Sequence, residues 1–276
     1  MPHSSNVAAG AVARHSAVTV QSMGTVISIR LGTADPGSGD DAGSSPDVAL
    51  RATARHAVAE VFRRWDERFS LYREESELSR VNRGELRLTQ TGPELRDCYA
   101  LALGWRSRTD GIFTPHRADG AIDLSGIVKS LAIVEAGDAL HRLGVRDWSL
   151  NAGGDILVGG DQALGFDWSA AIVDPLDRQS LLATVPLGRP VRAVATSGSA
   201  ERGEHIWTSV DGGFSPYRQV TVFGPDIVTA DVLATAIIAG GQAALYRSTA
   251  AFPIDVLVVL RDGSLLATPG LRTRSA

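Results

Sequence analysis

Five short apolar stretches follow one another between residues 147 and 224 with no helical pattern between them: DWSLNAGGDILVGG, FDWSAAIVD, LLATVPL, PVRAVATSG and RQVTVFG. Turn residues bound them, and each reads as a strand or a hairpin. Parallel strands need long, usually helical, crossovers, whereas antiparallel strands join through tight turns. A run of strands this closely spaced excludes a regular βαβ series.

The rest of the chain frames that run. AVTVQSMGTVISIRL alternates apolar and polar residues on both sides of Met23-Gly24-Thr25. It reads as two strands, or as one strand bulged at Gly24. Asp47 is placed to cap a helix in which Val48, Leu50, Ala57, Val58, Val61, Phe62 and Trp65 recur at helical spacing. SLYREESELSRVNRG predicts a turn and a short helix ended by Gly84. A helix over about 91–108 leads into the loop DGIFTPHRADG. SGIVKSLAIVEAGDALHRLGV predicts an amphipathic helix that Gly144 stops. After the strands, TADVLATAIIAGG, with Thr229 as a cap, and GQAALYRSTAAF read as two helices, and IDVLVVLRDG as a buried strand that LLAT pairs with. This order predicts one α+β domain over residues 17–276, with mixed, largely antiparallel sheets and covering helices. Residues 1–16 read as a disordered tail, and GTADPGSGDDAGSSP as a flexible loop.

Composition narrows the function classes. The chain has 276 residues, 44% of them hydrophobic, enough for a sizeable core. A net charge of −4 argues against a broad nucleic-acid surface. No run approaches the roughly 18 continuous apolar residues of a membrane span. The N-terminus shows no apolar signal core, so a cytoplasmic protein without membrane partners is expected. Cys98 is the single cysteine, so no internal disulfide forms, and its helical surroundings predict a buried structural thiol.

Lys129 is the only lysine beside 26 arginines. It stands in DLSGIVKS, one turn into the predicted helix. Ser125-Gly126 leaves backbone groups open at the helix start, where anions are favoured. The stretch reads either as a phosphate site reached by Lys129, with Asp123 capping the helix or accepting hydrogen bonds from a ligand, or as a capped helix with one solvated lysine. In TADVLATA, Asp231 and Thr235 share a helix face. They read either as part of an oxygen shell for Mg²⁺ or as an Asp near a helix start with a back-bonded Thr. LNAGGDILVGG reads as a strand end open to a ligand, or as a hairpin whose Asp155 satisfies turn amides. VATSGSAERGEHIW places His205 after hydroxyls and glycines, as a general base or as a structural histidine. No dinucleotide glycine fingerprint, Walker A motif, HExxH or G-x-S-x-G is present.

Taken in order, these segments resemble the ApbE family, the FAD:protein FMN transferases. The resemblance runs through Met23-Gly24-Thr25, Ser70-Leu71-Tyr72 with Ser76 and Asn82, Gly111-Ile112-Phe113, Asp123 to Lys129, Asn151 to Asp155, Thr196-Ser197-Gly198 with His205-Ile206, and Ala230 to Thr235. It covers roughly residues 17–262. It implies a single T-fold-like α+β domain with a ligand cleft between two lobes. It also implies Mg²⁺-dependent transfer of the FMN moiety of FAD to a Thr or Ser hydroxyl of an unidentified acceptor protein, with release of AMP. Mapped by motif, the magnesium ligands fall on Asp231, Thr235 and the carbonyl of Gly126. Flavin-binding positions fall on Met23, Tyr72, Ile112, Phe113, Thr114, Asp123, Lys129 and His205, with His205 and Lys129 in catalytic roles. FAD hydrolysis to FMN and AMP, or flavin binding without catalysis, are the alternatives. The chain departs from the family pattern at Thr114, where a carboxylate is usual, at Ser130, where glycine is usual, and after His205, where Trp207-Thr208-Ser209 replaces Asp-Pro and Thr-Gly.

Overall fold

A computed structural model describes residues 17–32, 46–160, 168–198 and 215–274. Residues 1–16, read above as a tail, and most of the loop 32–46 lie outside them. The alternation around Met23 folds as a hairpin of β1 (Val18–Ser22) and β2 (Thr25–Leu31), not as one bulged strand. Its two-residue turn puts Met23 at φ 51° and Gly24 at φ 69°. Positive φ at both central residues matches the right-handed twist of the strands they join.

Helix α1 (Pro46–Phe69) begins ahead of Asp47, which lies in the first turn and is not the residue before the helix. Helices α2 (Glu77–Asn82) and α3 (Pro93–Arg108) follow, and Gly84 at φ 74° turns the chain out of α2 as expected. Ser76 caps α2, its side chain accepting the Ser79 N–H. Helix α4 (Ser125–Arg142) buries Ile127, Val128, Ala132, Ile133, Ala136 and Leu140, and Gly144 ends it at φ 81°.

The strand run becomes β3 (Trp148–Ala152), β4 (Asp155–Gly159), β5 (Trp168–Val173), β6 (Leu181–Leu187), β7 (Ala193–Gly198) and β8 (Tyr217–Gly224), followed after a helix by β9 (Asp255–Leu260) and β10 (Leu265–Ala267). One eight-stranded sheet has the order β1-β2-β3-β4-β7-β8-β9-β10, and β5-β6 form a separate hairpin. Every pairing among the described strands is antiparallel. Because β5 and β6 leave the large sheet, β4 pairs directly with β7.

Helix α5 (Ile227–Ala251) consists of two helical segments joined across a kink, in line with the two helices read above. The break falls at Gly241 (φ 61°, ψ −146°), where the two predicted segments meet. Asp226, not Thr229, caps it: the carboxylate accepts the Thr229 N–H at 2.8 Å. By length and composition α5 could cross a bilayer, but 67% of its most apolar window is buried inside the fold, where it packs on α4, β7 and β8. A short helix α6 (Pro269–Arg274) was not foreseen. Trp148, 2% exposed, sits where Gly137 of α4 and Gly159 of β4 leave room for its indole. A Cβ at either glycine would come within 2.5 Å of that ring. α4 is thereby seated tightly on the sheet.

Candidate active site

Gly153 and Gly154 form the β3-β4 turn with φ 61° and 94°. Asn151 Oδ1 accepts the Gly154 N–H at 3.0 Å, so the turn amide is satisfied locally. Asp155, the next residue, is left for other partners. Its Oδ1 accepts the backbone N–H of Thr196 in β7 at 3.1 Å, and its Oδ2 pairs with the Lys129 ammonium. The Asp155 side chain is 1% exposed and that of Lys129 13%. The solvated lysine and the turn-satisfying aspartate are therefore both set aside: the two side chains form a buried ion pair between α4 and β4.

β7 carries the contact onward. Thr196 Oγ1 shares a hydrogen bond with Thr221 Oγ1 at 3.0 Å, and Ser197 Oγ with Thr235 Oγ1 at 3.3 Å. Thr235 therefore faces a hydroxyl on β7. Asp231, one turn earlier on α5, is 4% exposed. Lys129, Asp155, Thr196, Ser197, Thr235 and Asp231 are thus drawn to the meeting point of α4, β4, β7 and α5. Met23 stands at the same end of the sheet, since the Gly153 N–H donates to Val26 O and a Cβ on Gly153 would lie 2.5 Å from Thr25 Oγ1.

The loop after α3 distributes its residues. Asp110 (φ 53°) and Gly111 (φ 81°) turn the chain. Phe113, 5% exposed, packs over Gly126, where a Cβ would lie 2.9 Å from Cε2 of its ring. Ile112 instead packs against Gly240 of α5. Thr114 is exposed, and its Oγ1 accepts the His116 N–H at 3.3 Å. Asp123 Oδ1 accepts the Ser125 N–H at 2.9 Å, so this carboxylate serves the start of α4. Asn82 clamps the segment just before it, accepting the Ile122 N–H at 2.8 Å and donating to Ile122 O at 2.9 Å. Tyr72 is 99% exposed, its ring clear of the fold. His205 and the altered segment that follows it lie outside the described residues.

Two other groups are accounted for structurally. Burial pushes the Cys98 thiol up to about 12, so it is no nucleophile at neutral pH. His116 Nε2 is held by the Tyr99 hydroxyl at 2.9 Å. A cavity of about 370 Å³, lined among others by Arg108, Ile112, Ala236, Arg247 and Phe252, shares only Ile112 with the residues singled out from the sequence.

At the convergence α5 offers oxygen donors, the nearly buried Asp231 carboxylate and the Thr235 hydroxyl, and the family resemblance alone adds the Gly126 carbonyl to them. Such a set suits a hard divalent cation that completes its shell with water and substrate phosphates. Two observations fit that use: the Asp231 carboxylate is held in a nearly buried position, and Phe113 admits nothing larger than glycine at 126. Among the described residues no three His, Cys, Asp or Glu side chains cluster as metal ligands. Sequence reasoning marked the segments of Asn82, Asp155 and Ser197 but missed their contacts, whose partners lie 38 to 41 residues away along the chain for each hydrogen bond.

Comparison with known proteins is consistent in direction. The sequence model of the ApbE family matches residues 23–120 and 116–258. A FAD:protein FMN transferase of Rhodobacter capsulatus is 34% identical over 163 residues, 55% of this chain and 31% of that protein. The match thus spans about a third of that relative. The solved ApbE protein of Thermotoga maritima superposes with a TM-score of 0.75 at 19% identity, covering 95% of this chain and 100% of that one. The flavin transferase ApbE from Vibrio cholerae gives 0.72 at 21% identity, covering 94% and 99%. At these identities the structural likeness carries the fold.

Proposed function

The chain belongs to the ApbE family, and from that premise we propose that it transfers the FMN moiety of FAD to a Thr or Ser hydroxyl of a partner protein. The observation that carries the reading is the convergence of the buried Lys129–Asp155 pair with Ser197, Thr235 and Asp231 at one junction of the fold. A pyrophosphate needs an ammonium, oxygen donors for a cation and exclusion of bulk water, and this junction offers all of them.

In this reading the acceptor hydroxyl oxygen attacks the phosphorus on the FMN side of FAD. The bond to the AMP phosphate breaks, AMP leaves with the bonding pair, and the hydroxyl proton is released. Lys129 binds a pyrophosphate oxygen and offsets negative charge as it shifts to the leaving phosphate. Asp231, Thr235 and the Gly126 carbonyl would hold Mg²⁺, which supplies Lewis-acid stabilisation of the same phosphates. Asp123 keeps the first turn of α4 in place through the Ser125 N–H. His205 is assigned as the base on family resemblance. Tyr72 offers its exposed ring to the flavin.

The test incubates the full chain with FAD, with and without Mg²⁺, and with and without an acceptor domain carrying a Ser/Thr flavinylation motif. We expect AMP release and covalent flavin on the acceptor only when Mg²⁺ is present. AMP and free FMN without covalent product would replace transfer by hydrolysis, and tight FAD binding with no AMP under any condition would leave a flavin binder.

A further inference from the structure

Lys129 carries the only ammonium side chain in the sequence, and the fold does not leave it to find a phosphate unaided. The geometry points to Asp155 as a positioning residue that fixes the Lys129 ammonium for reaction, an inference that rests on the proposed function. The carboxylate is itself immobilised. It follows the Gly153-Gly154 turn directly, its Oδ1 takes the Thr196 N–H of a neighbouring strand, and its side chain is 1% exposed. Lysine has three N–H donors. The ion pair with Asp155 Oδ2 holds them beside this carboxylate. The same peptide stretch of β7 that grips Asp155 through Thr196 presents Ser197 to Thr235. The ammonium and the hydroxyl on α5 are thus referred to one rigid strand.

A purely stabilising role explains the pair poorly. Two charges withdrawn from water gain little over apolar residues of the same volume. Asp155 also cannot serve FAD affinity, because a carboxylate beside Lys129 opposes a bound pyrophosphate. What it supplies is orientation of a long, flexible side chain, which acts on turnover and not on ground-state binding.

This separates positioning from scaffolding by sign. We compare wild type, Asp155→Asn, Lys129→Met and the double variant as full chains. Asparagine keeps an acceptor for the Thr196 N–H and removes the charge. FAD affinity is read by flavin fluorescence in EDTA, and AMP release with Mg²⁺ and the acceptor domain. Asp155→Asn should bind FAD roughly 3- to 10-fold more tightly and release AMP roughly 10- to 100-fold more slowly. In the Lys129→Met background the same substitution should leave AMP release within about 2-fold, while FAD binding still tightens because the carboxylate's repulsion of the pyrophosphate is then uncompensated. Weaker or unchanged FAD binding in Asp155→Asn, or an equal loss of AMP release with and without Lys129, overturns the proposal. If Asp155→Asn does not fold, Asp155→Glu decides. It keeps the charge and displaces the ammonium, and is expected to slow AMP release at least roughly 10-fold with FAD affinity held within about 3-fold; full activity overturns the proposal. A wild-type chain that binds FAD but never releases AMP defeats the transferase reading alone, and the binding arm then still decides the role of Asp155.

Discussion

An alanine at position 126 would set its Cβ 2.9 Å from Cε2 of Phe113. That ring cannot simply swing aside: Phe113 is 5% exposed and its N–H is held by Thr109 Oγ1 at 3.2 Å. Gly126→Ala must therefore shift either the ring or the first turn of α4, at a cost of about 1–3 kcal/mol. The same shift displaces the carbonyl assigned to the cation. We expect a lowered urea midpoint together with AMP release down at least roughly tenfold. A variant that loses stability but keeps full Mg²⁺-dependent turnover would remove Gly126 from the cation shell. Residue by residue, the sequence made such identities visible and left their partners hidden. A lone lysine among arginines was conspicuous, as was an aspartate after paired glycines. Their ion pair was not, because 26 residues and a helix separate Lys129 from Asp155, and no local spacing encodes a contact between a helix and the far side of a hairpin turn.

Helix α5 carries both Asp231 and Thr235, and its interruption at Gly240-Gly241 falls where the sequence divides the region into two helices. Two glycines between apolar helical stretches look like a C-cap and a new start. The two residues serve the break differently. Gly240 leaves space for Ile112 and Ala244, each 2.8 Å from where a Cβ would stand. Gly241 takes φ 61° and ψ −146°, a conformation close to the region open almost only to glycine. Gly241→Ala should then destabilise the chain by about 1–3 kcal/mol. Asp231 and Thr235 lie on the N-terminal side of the kink, so FAD turnover at a temperature where the variant stays folded should remain near wild type. Denaturant melts read the first quantity and AMP release the second; a stable variant would show that the kink relaxes without cost. Elsewhere the elements were legible where turn chemistry marked them: Gly84 and Gly144 stop α2 and α4, strand alternation located β1 and β2, and turn residues bounded β3 and β4. Strand order was not legible. Nothing in the sequence between β4 and β7 announces that β5 and β6 form a sheet of their own, and that departure is what lets the backbone of Thr196 reach Asp155.

Taken as a whole, the molecule places its candidate chemistry at a junction of parts remote in sequence. The β1-β2 turn, the loop after α3, the first turns of α4, the β3-β4 turn, the end of β7 and the N-terminal half of α5 all contribute. Each segment alone has an ordinary structural use, which is why the family resemblance rested on their order and not on any one motif. A ligand held at such a junction ties together elements remote in sequence. Binding to the folded state alone, FAD with Mg²⁺ at about 100 times its dissociation constant should add about 2.7 kcal/mol. For a chain of this size that corresponds to a rise in Tm of about 5 °C. FAD without Mg²⁺ should give a smaller rise, because the phosphates then meet Lys129 with no cation to share their charge. Lys129→Met should reduce the increment further, whereas Gly241→Ala should lower the starting Tm and keep the increment, since its kink lies away from the pyrophosphate. Differential scanning fluorimetry across these four conditions tests the placement of the site directly. An increment that survives Lys129→Met undiminished would move FAD away from this junction, whatever the activity measurements show.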